Sequence, residues 1–137
     1  MPKPKRVLLV DDDVDFLNAV RLTLEAAGYE VVSAHTGEDA IKLLRGARVD
    51  VAILDLMMEE PDAGIAVAHF LRRQPEMRGI PVILATAVTE KTGFRVSMDD
   101  PDDRDWLQVD AWVDKPVDPQ VLLQEVCRLS RARQSGE

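Results

Sequence analysis

Four acidic side chains stand where apolar runs end. Three are consecutive, Asp11, Asp12 and Asp13, directly after "RVLLV" (6–10); the fourth, Asp55, closes "VAILD" (51–55). Thr86 follows the run "IPVILA" (80–85), and Lys115 with Pro116 comes just after "AWV" (111–113). Neighbouring carboxylates repel, while an apolar run leads toward a core, so this charge needs a reason. A hard divalent cation supplies one. Mg²⁺ takes oxygen ligands in an octahedron, commonly one or two carboxylates with waters and phosphate oxygens. Each residue also has a plainer role when taken singly. Asp13 can cap a helix, Asp55 can sit in a turn, Thr86 can bond the backbone, and Lys115 can be a solvated charge. Their joint occurrence at successive run ends points to one site.

The elements that must position these residues alternate. Short runs rich in Val and Ile, at 6–10, 30–34, 51–55, 80–85 and 111–113, read as strands buried on both faces. The segments between them carry helical spacing. Leu17, Val20, Leu24 and Ala27 form one stripe, with Gly28 as its stop; Ala40, Leu43, Leu44 and Ala47 form another, opened by Thr36 and Asp39. Val67, Phe70 and Leu71 line a third stripe within 65–73. Asp118 and Pro119 give an N-cap and first turn leading into Leu122, Val126 and Leu129. Alternation of this kind predicts parallel βαβ units with right-handed crossovers and helices on both faces of the sheet. Ligands of such sheets bind beyond the carboxyl ends of the strands, the edge on which Asp11, Asp12, Asp55, Thr86 and Lys115 fall.

Totals narrow the function classes. The 137 residues suit one domain, read as 5–131 with a flexible polar tail at 132–137. The 17 Lys and Arg against 25 Asp and Glu give a net charge of -8, which argues against a nucleic-acid partner held through phosphates. Cys127 is the single cysteine, so no disulfide framework exists within the chain, and a reducing cytoplasm is expected. The apolar run Val7 to Val10 is too short for a signal-peptide core or a membrane span.

"LLVDDD", "VAILDLMM", "PVILATA" and "VDKP" resemble, in order and at nearly the same spacings, the receiver domain of two-component response regulators. The resemblance covers about residues 5 to 131. It implies a flavodoxin-like, doubly wound α/β fold, a five-stranded parallel sheet in the order 2-1-3-4-5 flanked by five helices. It also implies that Asp55 is the phosphoacceptor and that Mg²⁺ is bound by Asp12, Asp55 and the backbone carbonyl of Met57, with Asp11 acting mainly through water. Thr86 would bond the phosphoryl group, Lys115 would pair with one of its oxygens, and Trp112 stands at the family's switch-aromatic position. The implied partners are a sensor histidine kinase or a histidine phosphotransfer protein, a downstream protein target, and a second copy in a homodimer. Such a domain is a signalling phosphoacceptor rather than an enzyme, limited to its own phosphorylation and dephosphorylation. With no output domain after 131, the chain reads as a stand-alone receiver.

The chain departs from the family in three places. The family's proline four residues after the acceptor and glycine eight after are replaced by Glu59 and Ala63, with Pro61 and Gly64 displaced along a longer, more acidic loop. Gln108 and Val109 replace a small Gly-Ala pair before the last strand. Thr86 and Lys115 also lie further apart than is typical, across a stretch with Gly93, Pro101 and the acidic run 99–105. An irregular fourth-helix region is therefore expected. His35 and His69 match no family position and read as loop and helix-surface residues. Two rival readings stand beside the receiver. One is a haloacid-dehalogenase-type phosphohydrolase with Asp11 as nucleophile and Asp13 as general acid; the other is an interaction module independent of phosphorylation. The fourth-helix expectation has a direct test. Residues 88–108 should lack continuous helical amide protection in hydrogen exchange, and their protection should change when beryllofluoride is added as an acyl-phosphate mimic. Strong protection throughout, unaltered by the mimic, would contradict it.

Overall fold

A computed structural model describes residues 5–55, 63–77, 79–86, 110–114 and 118–135. Its five strands are β1 (Arg6–Val10), β2 (Glu30–Ala34), β3 (Val51–Leu54), β4 (Val82–Thr86) and β5 (Ala111–Asp114). Among the described residues there are four helices, α1 (Val14–Ala26), α2 (Gly37–Gly46), α3 (Ala63–Arg73) and α4 (Pro119–Ser135). All four strand pairings are parallel, and the sheet order is β2-β1-β3-β4-β5. The expected fold and strand order are thus present. The fourth-helix region of the family falls within 87–109, outside the described residues.

The sheet is buried on both sides because its strands are apolar at successive positions, not alternate ones. On one face Leu8, Val10, Ala52, Leu54, Val82 and Leu84 pack with Ala40 and Leu44 of α2 and Val67 and Leu71 of α3. On the other, Val7, Leu9, Val51, Ile53 and Ile83 pack with Leu17, Val20 and Leu24 of α1 and Leu122 and Val126 of α4. Burying each Leu or Ile side chain is worth about 1.5–3 kcal/mol, and this is what holds the sheet together. Cys127 of α4 is half-buried and accepts a 3.3 Å hydrogen bond from the Tyr29 hydroxyl.

Local signals end the helices where the sequence suggests. The Asp13 carboxylate accepts from the Phe16 N–H at 3.2 Å and the Thr36 hydroxyl accepts from the Asp39 N–H at 3.1 Å. At α4 the Asp118 carboxylate accepts from the Gln120 N–H at 2.8 Å. Each satisfies a donor that the first turn leaves without an intrahelical partner. Gly28 closes α1 with φ of 96°; its N–H bonds the Glu25 carbonyl at 3.0 Å and the Tyr29 N–H bonds the Leu24 carbonyl at 3.0 Å.

Several boundaries differ from the sequence reading by one or a few residues, among them those of β4 and α4. β4 starts at Val82 because Pro81 has no N–H to give the ladder, and it runs on to include Thr86. α4 continues to Ser135, into the segment read as a tail. Arg131, Ala132, Arg133 and Gln134 are good helix formers by intrinsic propensity.

At the amino-terminal edge of the sheet two aspartates do the same job. Asp50, just before β3, donates its N–H to the Arg6 carbonyl at 2.8 Å, and its Oδ2 accepts from the Arg6 N–H at 2.8 Å. Asp110, just before β5, donates to the Val82 carbonyl at 2.8 Å and accepts from the Val82 N–H at 2.8 Å. Arg48 lies 3.5 Å from the Asp50 carboxylate, and Arg72 donates to Asp110 at 3.2 Å while also bonding the Ile80 carbonyl at 3.0 Å.

The glycines give a stability contrast. A Cβ built on Gly28 or on Gly46 meets nothing within 4 Å, so the two differ in backbone conformation alone. Gly28→Ala should cost about 1–2 kcal/mol because its positive φ is strained for an L-residue. Gly46→Ala should instead be neutral or stabilising by up to about 1 kcal/mol. Urea unfolding of the two variants beside the parent checks both signs.

Candidate functional site

The carboxyl-terminal edge of the sheet gathers what the sequence scatters. β1 and β3 are neighbours with Val10 opposite Leu54, so the residues that follow them, Asp11 and Asp55, leave the sheet side by side. Backbone bonds carry that register past the strand ends. The Asp55 N–H bonds the Val10 carbonyl at 3.0 Å, and the Asp11 N–H bonds the Ala34 carbonyl of β2 at 3.1 Å. Asp11 and Asp55 are only 1% and 4% exposed, two buried carboxyls at the rim of an apolar core, while Asp12 is more open to solvent.

One carboxylate oxygen from each of Asp11, Asp12 and Asp55 lies within 4.8 Å of the others. Among the described residues, neither histidine joins this group; His35 is exposed and His69 is half-buried on α3. Three charges at that spacing repel by roughly 3 kcal/mol per pair at an effective dielectric of about 20. The donors are all hard oxygens, and the group is open on the Asp12 side. That is the donor chemistry Mg²⁺ takes, with water or phosphate oxygens completing the shell. Asp13 is employed elsewhere. Its N–H donates to Asp11 Oδ1 at 2.9 Å, fixing that carboxylate, and its own side chain caps α1.

Beside this group runs the β4–β5 pair. Leu54 lies opposite Leu84, so Asp55 continues alongside Ala85 and Thr86 ends the adjacent strand. Thr86 in turn lies opposite Asp114, the residue that precedes Lys115. Trp112 is half-buried against the core on the α2–α3 side of the sheet. Met57 and Lys115 lie outside the described residues. The fold thus brings Asp11, Asp12 and Asp55 together and puts Thr86 at the same edge, while Trp112 is set into the neighbouring face. Asp50 and Asp110 escape sequence reading because an aspartate before a strand looks like any turn residue, and their partners are far away in the chain.

Comparison with known proteins agrees with this geometry. The family model for the response regulator receiver domain matches residues 7–127. The transcriptional regulatory protein GlrR of Escherichia coli is 36% identical over 124 residues, 90% of this chain and 26% of that protein. The polar-differentiation response regulator DivK of Brucella anthropi is 35% identical over 88 residues, 64% of this chain and 71% of that protein. The chain spans about a quarter to a half of the length of several curated relatives it matches. Among solved structures, the chemotaxis response regulator CheY4 of Vibrio cholerae superimposes with a TM-score of 0.78 at 28% identity, covering 92% of this chain and 98% of that one. A CheY-like receiver domain protein from Methanospirillum hungatei shares the fold with a TM-score of 0.81 at 24% identity, over 98% of this chain and 99% of that one. With its buried acidic edge, its sheet order and a family match across nearly its whole length, the chain belongs to the response regulator receiver domain family.

Proposed function

We propose that the protein is the phosphoacceptor of a two-component phosphorelay, with Asp55 receiving the phosphoryl group in the presence of Mg²⁺. The observation that carries this reading is the buried Asp55 at the end of a central strand, its oxygen within 4.8 Å of those of Asp11 and Asp12. Family membership supports the same role.

The transfer is a substitution at phosphorus. An Asp55 carboxylate oxygen forms the new O–P bond as the bond from phosphorus to the donor's leaving group breaks. The leaving group departs with that electron pair and takes a proton from solvent. The product is an acyl phosphate, with no net oxidation. A carboxylate is a poor nucleophile toward a phosphoryl group because both are negative. Asp12, Asp55 and the Met57 carbonyl would hold Mg²⁺, with Asp11 acting through water, and the bound ion would supply the charge neutralisation this step needs. Asp11 is itself held in place by the Asp13 N–H. Thr86 and Lys115 take the phosphoryl oxygens once the group has arrived, and Trp112 responds as the switch aromatic, shifting a pre-existing two-state equilibrium. The phosphodonor is a sensor histidine kinase or a histidine phosphotransfer protein, and the output is a cytoplasmic protein target or a homodimer. Among the described residues no helix is long and apolar enough to cross a membrane.

The phosphohydrolase reading requires a free general acid two residues after its nucleophile. Asp13 is committed to the α1 cap, and nothing in the geometry favours that role over the receiver's.

Two variants test the proposal. Incubated with Mg²⁺ and a small-molecule phosphodonor such as acetyl phosphate, the parent should gain one phosphoryl group on Asp55 by mass spectrometry, and Asp55→Asn should gain none. Label retained in Asp55→Asn, or found on Asp11, would refute it. Asp12→Ala should stabilise the metal-free protein by relieving repulsion, on the order of 1 kcal/mol. It should also weaken Mg²⁺ binding by roughly tenfold or more, as read by titration calorimetry.

A further inference from the structure

We propose that Asp110 is a positioning residue for phosphoryl transfer, setting from the opposite edge of the sheet where the β5 end of the site stands. This inference rests on the receiver reading. Three observations lead to it.

First, β5 is the edge strand of the described sheet, has 4 residues and pairs with β4. It is joined to β4 through the long connection 87–109, and a long connection does little to fix register. Second, β5 has no apolar–polar alternation to mark its register, which its side chains mark by size alone. Ala111 packs on the α1–α4 side, Trp112 on the α2–α3 side and Val113 again on the first, so three successive positions are apolar and both faces accept them. Third, the strand carries a polar register mark at its entry. Asp110 exchanges two backbone-directed hydrogen bonds with Val82, each 2.8 Å, and Arg72 of α3 anchors the same carboxylate at 3.2 Å.

What the mark positions lies at the far end. With Asp110 on Val82, Thr86 falls opposite Asp114, and Lys115 is the next residue. A slip of one residue would move that lysine by about 3.3 Å along the strand and turn Trp112 to the other face. Errors of 1 Å in positioning can already cost about a hundredfold in rate. Asp11, Asp12 and Asp55 follow β1 and β3, so their arrangement does not pass through this clamp.

Asp50 is the built-in control. It makes the same exchange with Arg6, but it opens β3, which is held on both sides by β1 and β4. Its loss removes stability without releasing a register.

The experiment compares Asp110→Ala, Asp110→Asn and Asp50→Ala in the full chain. Asp55 labelling by acetyl phosphate is measured at saturating Mg²⁺, Mg²⁺ affinity by calorimetry, and amide exchange across 111–114 and 51–54. Asp110→Ala should lose about tenfold or more in labelling rate, with Mg²⁺ affinity unchanged and protection at 111–114 selectively lowered. Asp110→Asn keeps an oxygen acceptor for the Val82 N–H and should recover most of the rate. Asp50→Ala should lose stability but label at the parental rate. Should Asp110→Ala fail to fold, Arg72→Gln loosens the same clamp and should lower the rate in the same direction. Parental labelling and protection in the folded Asp110 or Arg72 variant, or an equal rate loss in Asp50→Ala, would overturn the proposal. If the parent itself takes no label, the receiver reading fails, and selective loss of protection at 111–114 alone decides whether Asp110 sets the register.

Discussion

The structure depends on forcing negative charge together. Asp11 and Asp55 are neighbours because β1 and β3 are, and β1 and β3 stay in register because Val7 to Val10 and Val51 to Leu54 are buried on both sides. Repulsion at the carboxyl edge is of order 3 kcal/mol per pair, while each large apolar side chain in those strands contributes about 1.5–3 kcal/mol by burial. The core wins, and the acidic edge is left as a place where a cation or a neutralising group lowers the energy.

The two edges of the sheet use the same residue type in opposite ways. At the amino-terminal edge Asp50 and Asp110 each meet a backbone N–H and an arginine, so their charge is answered inside the protein. At the carboxyl-terminal edge the Asp11 carboxylate accepts from the Asp13 N–H, yet two further carboxylates crowd it. The aspartates of one edge fix strands through donors and an arginine; those of the other stand as a close group of three. Arg72 ties these roles to the packing, since it reaches from α3 to both the Ile80 carbonyl and Asp110. The arginine ion pairs themselves are partly exposed and contribute modestly, so their value lies in geometry more than in stability.

Much of this was legible from residues close in the chain. The caps at Asp13, Thr36 and Asp118 and the stop at Gly28 are local events, complete within a few residues, and the sequence announces them. The apolar runs announce the strands, and strand–helix alternation announces parallel order. Boundaries were less legible. Thr86 belongs to β4 because strand length depends on what β5 offers opposite it, which no local pattern states. The clamps were invisible for the same reason: Asp50 is 44 residues from Arg6, and Asp110 is 28 from Val82.

By itself the sequence determined which residue types stand at the run ends, because that depends on order along the chain alone. It determined the fold class as well, since periodicity and capping act over a turn or a strand. Only the tertiary structure decided distance. Which carboxylates come within 4.8 Å, which aspartate is capping and which is crowded, and which strand is held from one side or both follow from register and sheet order. Those are set by burial summed over segments far apart in the chain, and no short stretch of residues contains that sum.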